Sequence, residues 1–228
     1  MKPIQQLVAE TNYWGWVPIP DGYLYLGGND CGVALRAFHH IDYEVESLKL
    51  WRELCAGAKL VIDVGAHTGC YTLAALKAKT QVISLEPYAV NYARLMLNVR
   101  YSGFLTHGLL HNIAASDQNG VGFLNVNTPP FYCSTGGHMD ESGIPVRMVK
   151  LDSLLLERMH KDVKAVKIDV EGHGLKVLDG MKGILSAARP TLIIEDQPGL
   201  AEKLDSLGYE SRLIEDDEAR NRYATPRT

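Results

Sequence analysis

The chain has 228 residues, 46% of them hydrophobic, enough for one α/β domain that buries roughly 70% of its unfolded surface without a disulfide or metal staple. Its 23 basic and 27 acidic residues give a net charge of −4, and no lysine or arginine run tracks a phosphate backbone, which argues against nucleic acid as a partner. Four scattered cysteines (Cys31, Cys55, Cys70, Cys133) form no CxxC pair, and no window approaches the ~20 apolar residues of a bilayer span; the expectation is a soluble, cytoplasmic protein with reduced thiols and no membrane partner.

Residues 1–45 read as an irregular, aromatic N-terminal cap carrying Tyr13, Trp14, Trp16, Tyr23, Tyr25 and Tyr43, with one short strand over 23–26 and a turn at 27–30. Val45, Leu48, Trp51 and Cys55 recur at helical spacing and predict a helix over 43–56. From residue 59 to 215, apolar runs alternate with helical segments. Strands are expected at 60–64, 82–85, 109–115, 165–170, 191–195 and 210–214. Helices are expected after Gly69, over 89–100 with Val90, Ala93 and Leu97 on one face, near 152–158, around Leu175, Leu178 and Leu185, and near 200–207. This alternation implies a mostly parallel sheet flanked by helices. Glycines and prolines interrupt it between 116 and 150, where strand-like pieces at 121–126 and 144–149 suggest an antiparallel insertion with a mobile tip. The whole reads as a single domain, and its oligomeric state is not written in the composition.

The strand Leu60-Val61-Ile62-Asp63-Val64 runs into Gly65-Ala66-His67-Thr68-Gly69, and the next apolar run closes on Glu86. A carboxylate on a strand buried on both faces costs several kcal/mol unless it is hydrogen-bonded or paired, so Asp63 needs donors, and the glycine loop is the nearest source. The glycines fall as G-x-x-x-G, not as the G-x-G-x-x-G that seats a pyrophosphate, and no G-K-[ST] ends the loop. Glu86 stands where a carboxylate accepts both ribose hydroxyls, a role shared by NAD and S-adenosylmethionine sites. Downstream, Asp169, Glu171 and His173 alternate at the carboxyl end of a strand, where ligands bind in open α/β sheets.

Asp63-Val64-Gly65-Ala66-His67-Thr68-Gly69, Glu86-Pro87 and Lys167-Ile168-Asp169-Val170-Glu171-Gly172 together resemble the FkbM family of S-adenosylmethionine-dependent methyltransferases. The resemblance covers about residues 45–200, including 111–117 and 189–195. It implies the class I methyltransferase fold, a Rossmann-like α/β sheet, and methylation of hydroxyl groups on sugars, polyketides and similar metabolites. It implies further that Asp63, Gly65, His67 and Gly69 surround the methionine part of S-adenosyl-L-methionine, that Glu86 holds the ribose, and that Ala115, Ser116 and Asp117 lie near the adenine. The sequence departs from the family's pattern at His67, where asparagine is usual, and at Gly174, where an acid often follows the K-I-D-V-E-G block.

A sulfonium is an activated donor, so catalysis rests on aligning the acceptor oxygen and accepting its proton. Asp169 is the candidate for orienting the reactants, with Glu171 or His173 as the base. No metal is expected, although Asp169, Glu171 and His173 could in principle share magnesium. The acceptor is expected to be a small molecule or glycan. Two other readings stay open: a cofactor-binding module without turnover, and an adenine amino-methyltransferase, to which Asn127-Thr128-Pro129-Pro130-Phe131 bears a likeness spoiled by Thr128.

Overall fold

The structure, a computed structural model, describes residues 4–27, 31–104, 108–126, 137–215 and 220–227. The cap comprises α1 (Ile4–Glu10), β1 (Trp14–Ile19), β2 (Gly22–Gly27) and α2 (Gly32–Phe38). The alternating core begins with α3 (Val45–Cys55), β3 (Leu60–Val64), α4 (Cys70–Lys77), β4 (Gln81–Leu85), α5 (Ala89–Tyr101) and β5 (Gly108–His111). The insertion holds β6 (Ala114–Ala115), β7 (Gly120–Asn125), β8 (His138–Asp140) and β9 (Ile144–Val149). The core resumes with α6 (Leu151–Leu154), α7 (Glu157–His160), β10 (Val163–Ile168), α8 (Gly174–Asp179), α9 (Lys182–Ala188), β11 (Thr191–Glu195), α10 (Leu200–Ser206), β12 (Tyr209–Leu213) and β13 (Asn221–Pro226).

Seven strands form the central sheet in the order β12-β13-β11-β10-β3-β4-β5. The run from β11 to β5 is parallel, and β13 lies antiparallel between β11 and β12. Helices cover both faces. One apolar cluster unites α2 to α5 and the cap, with Trp51 and Leu73 fully buried, and a second unites α8 to α10 around Ile168, Val177 and Ile194. From β3 the chain progresses outward through β4 and β5 before returning to β10 on the other side, so the switch point lies between β3 and β10, where the crevice of such sheets opens.

Several expectations are corrected. The strand expected over 109–115 is two strands in different sheets: β5 ends at His111, and after Asn112 and Ile113 the chain joins β9 as β6. The cap contains two helices and a β1–β2 hairpin rather than one strand, and β13 follows the strand expected to be last. On α5 the face that carries Val90, Ala93 and Leu97 is solvent-facing, and the buried positions are Asn91, Leu95, Asn98 and Val99. Two asparagines replace apolar residues there because both serve as polar connectors. Asn98 donates to the Thr68 carbonyl at 2.7 Å and accepts from the Tyr25 amide at 2.9 Å, tying the cap and the glycine loop to one helix. The 127–131 motif, Cys133 and the tip of the insertion lie outside the described residues. Among the described residues no helix is long and apolar enough to cross a membrane.

Asn98→Leu keeps the side-chain volume but strands two buried backbone groups, Tyr25 N–H and Thr68 C=O. It is expected to lower the unfolding free energy by about 2–4 kcal/mol. Urea unfolding checks this, and a loss under about 1 kcal/mol would show that the two bonds do not hold the cap.

Candidate active site

A cleft of about 1000 Å³, counting its open mouth, crosses the carboxyl ends of β10, β3 and β4. Asp63, Gly65, His67, Glu86, Ala115, Asp169, Glu171 and His173 line it. Gly69, Ser116 and Asp117 stand outside that lining.

The floor is the turn after β3. The amides of Gly65 and Ala66 both donate to the Leu85 carbonyl at 2.9 Å, which folds the loop across the end of β4. Gly65 has φ +79, and a Cβ there would sit 1.7 Å from the Asp169 carbonyl oxygen, so no other residue permits this approach of the loop to the end of β10. His67 also adopts the left-handed region, with φ 49. Histidine and asparagine are both enriched there, which accounts physically for the exchange at this position. The His67 amide donates to Glu86 Oε2 and the Tyr88 amide to Glu86 Oε1, each at 2.9 Å. Glu86 is 5% exposed, and burial holds its carboxyl above the ordinary glutamate range against the opposing pull of His67, these two amides and Asn91.

Asp63 is buried beneath this loop, but the amides of Gly65, Ala66 and His67 are spent on Leu85 and Glu86 and do not reach it. Thr72 in the first turn of α4 donates its hydroxyl to Asp63 Oδ2 at 2.6 Å and lies 2.8 Å from Ser84. Burial pushes the Asp63 carboxyl up to about 6, against the pull of Thr72 and Lys167.

The end of the cleft at β10 is built around a residue to which the sequence pattern assigns no role. Lys167 is 1% exposed, in the middle of a parallel sheet. Its ammonium is 3.1 Å from Asp169 Oδ2, 3.3 Å from Asn221 Oδ1 and 4.8 Å from the centroid of the Tyr71 ring. Burial works against its charge, yet Asp169, Glu44 and Asp63 overcome that and raise its pKa. Asn221 of β13 also donates to Glu44 at 3.0 Å, and Tyr71 donates its hydroxyl to Glu44 at 2.5 Å. Tyr43 lines the cleft beside this network, and burial followed by Glu44 pushes its hydroxyl well above the usual tyrosine range.

Beyond Asp169 the chain turns through Glu171 (φ 48) and Gly172 (φ 86), so Glu171 does not continue the strand's alternation. Burial and Asp169 raise the Glu171 carboxyl, and burial with Asp169 and Glu171 pushes Glu195 up to about 7. Among the described residues, the carboxylates close enough to share one cation are Asp169, Glu171 and Glu195, with oxygens within 4.8 Å of one another. His173 is not in that group, which corrects the alternative that placed it there. Instead its Nε2 lies 3.0 Å from the Ser116 hydroxyl, which in turn is 3.0 Å from Asp117 Oδ1. Lys167, Glu44, Tyr43, Asn221 and Glu195 were missed as site residues. A lysine inside the run Ala165-Val166-Lys167-Ile168 and an acid closing 191–195 were signals of the same kind that singled out Asp63.

This donor set fits a cationic nucleoside. The carboxylate oxygens of Glu86 each take one backbone hydrogen bond and keep further lone pairs for a diol, while Asp63, Glu44 and Asp169 outnumber the single lysine at the other end. A ribose phosphate would meet repulsion from Glu86.

Comparison with known proteins gives the same family. The methyltransferase FkbM domain matches residues 63–215. Among solved structures, a methyltransferase FkbM from Methylobacillus flagellatus KT superposes with a TM-score of 0.54 at 14% identity, over 97% of this chain and 57% of that one. The SAM-dependent methyltransferase from Agrobacterium tumefaciens gives 0.57 at 8% identity, over 95% of this chain and 71% of that one. A methyltransferase from Geobacter sulfurreducens gives 0.50 at 13%, over 85% of each chain. At such identities the likeness is one of fold, and the chain spans 57% of the length of the Methylobacillus protein. No curated protein matches the chain significantly. From Asp63 at the floor of the cleft to the end of β12, the matched segment contains nearly all of the elements that build the site, and the chain belongs to the FkbM family of S-adenosylmethionine-dependent methyltransferases with a class I methyltransferase fold.

Proposed function

We propose that this protein methylates a hydroxyl group of an uncharged acceptor, a sugar, glycan or similar metabolite, in the cytoplasm. The observation that carries this reading is the charge of the acceptor end. Asp169 and Glu171 line it, no arginine does among the described residues, and the lysine present is engaged with Asp169 and Asn221. A phosphorylated acceptor or a nucleic acid backbone would meet carboxylates without a free counter-charge, whereas a neutral hydroxyl finds acceptors for its proton. The buried thiols Cys55 and Cys70 are free, in keeping with a reducing compartment.

Bound across the cleft, S-adenosyl-L-methionine supplies a methyl group already activated by the sulfonium. Glu86 would hold its ribose hydroxyls, and Asp63 would supply negative charge for its cationic half. Asp169, fixed by Lys167, orients the acceptor hydroxyl. Glu171 takes its proton, since a carboxyl raised by burial and by Asp169 is a stronger base than a solvated one. The cap and the small sheet of β6 to β9 close the sides with Val33, Tyr43, Leu124, Val126 and Met139, which limits water at the reacting oxygen.

The direct test is labelled methyl transfer from S-adenosylmethionine into neutral sugars and glycans, and into their phosphorylated counterparts, read by mass spectrometry. Transfer to the neutral set is expected; binding of the cofactor with no transfer would leave a module without turnover. Glu86→Ala is expected to weaken S-adenosylhomocysteine binding by about 1–3 kcal/mol in calorimetry. Glu171→Gln should lower kcat about 100-fold or more while leaving that affinity intact. The Asp63 carboxyl, with its pKa near 6, is mostly neutral at pH 5 and mostly ionised at pH 7, and only the ionised form attracts a cation. Affinity for the sulfonium should therefore rise across this interval more steeply than affinity for the uncharged thioether, and Asp63→Asn should remove the difference.

A further inference from the structure

With Glu86 at the end of β4 holding the ribose and Asp63 at the end of β3 facing the sulfonium, as proposed above, the nucleobase would lie past Glu86 toward β5, against the wall of Pro87, Tyr88, Ile113 and Ala115. His173 lines the same cleft and is bound to the residue that follows Ala115. Ser116 is 2% exposed, and its hydroxyl lies between His173 Nε2 and Asp117 Oδ1, 3.0 Å from each. A serine hydroxyl has one proton, and a carboxylate can only accept. The Ser116 proton therefore goes to Asp117, and Ser116 accepts from Nε2–H of His173. A neutral imidazole with its proton on Nε2 carries its lone pair on Nδ1.

We propose that the Asp117–Ser116–His173 chain presents the Nδ1 lone pair to the exocyclic amino group of adenine, and so selects an amino-bearing purine over one with an oxo group at that position. The assignment rests on the cofactor orientation given above. It moves Ser116 and Asp117 from direct contact with the base to positioning residues behind His173. It also takes His173 away from the reacting oxygen. The charged groups that act on the imidazole are Lys176 and Asp117, whereas those that act on Glu171 are Asp169, His138, His67 and Lys167. Burial and Lys176 lower the imidazole's pKa, and Asp117 offsets this only in part, which leaves the ring neutral and its lone pair free at neutral pH.

Calorimetry with S-adenosylhomocysteine and S-inosylhomocysteine, in which an oxo group replaces the amino group, tests the assignment on the whole chain without turnover. The wild type is expected to prefer the adenine ligand by about tenfold or more, and His173→Ala to lose most of that preference. Ser116→Ala removes the acceptor of Nε2–H, so the ring is no longer held in that tautomer and the variant should narrow the preference. Long-range proton–nitrogen correlation NMR of the unliganded protein reads the tautomer independently, with the proton on Nε2 in the wild type and a smaller Nε2–H population in Ser116→Ala. A wild-type proton on Nδ1, or an undiminished preference in His173→Ala, would overturn the proposal. A wild type that binds both ligands equally overturns this assignment alone, and one that binds neither overturns the cofactor orientation on which it rests.

Discussion

The ammonium of Lys167 is the constraint on which the site depends. It sits in the middle of a parallel sheet, where an unpaired charge would cost several kcal/mol, and it is tolerated because Asp169, Glu44 and Asp63 surround it. The relation is mutual. Without the lysine, the carboxylates on β3, on β10 and at the start of α3 would repel one another in a space with little water. Lys167 thus fixes where Asp169 points, and through Asn221 and Glu44 it joins β13 and the end of the cap to the catalytic end of β10. Breaking such a network from one side leaves the other members buried and uncompensated, which is why its parts come from four separate regions of the chain.

The second requirement is steric. The loop after β3 must pass close enough to β10 to bring Asp63, Glu86 and Asp169 into one cleft, and the space at Gly65 decides whether it can. Once the loop takes that path, its amides are committed to Leu85 and Glu86, and Asp63 has to find its donor in α4. One backbone conformation therefore sets the surroundings of both Glu86 and Asp63. A neighbouring adjustment occurs at the start of α8. A Cβ on Gly174 would lie 2.5 Å from the end of the Gln197 side-chain amide, so the space beside this glycine is taken by a side chain from the segment after β11.

What was legible in the sequence was whatever depends on neighbours along the chain. The alternation of strands and helices, the carboxylates that close β3 and β4, and the pairing of β7 with β9 all follow from local pattern and turn chemistry. What was not legible depends on partners far away. The inward face of α5 was misassigned because Asn91 and Asn98 are polar, and only Tyr25 and Thr68, distant in sequence, make burial of Asn98 favourable. Strand β13 has no apolar run to announce it. Its Asn221 is buried because Lys167 and Glu44 wait for it. Glu44 falls inside the helix expected over 43–56 with nothing to mark it, and its burial depends on Tyr71 and Asn221, which the fold brings beside it. Glu195 was the avoidable omission, an acid at the end of an apolar strand like Asp63.

Across the cleft the charge is graded. Toward β5 the wall is Ile113, Ala114 and Ala115, and toward β10 the cleft carries more carboxylates than its one lysine can balance. The surplus is visible in the acids themselves: Asp63 near 6, Glu195 near 7, and Glu86 and Glu171 raised. Each raised carboxyl is favourable to the fold while protonated and unfavourable once it ionises, so above pH 7 the site is held under electrostatic strain by the rest of the sheet. A bound cation relieves that strain, and a thioether does not. On the function proposed above, the same surplus that weakens the unliganded fold would make the site favour the charged donor over the uncharged thioether.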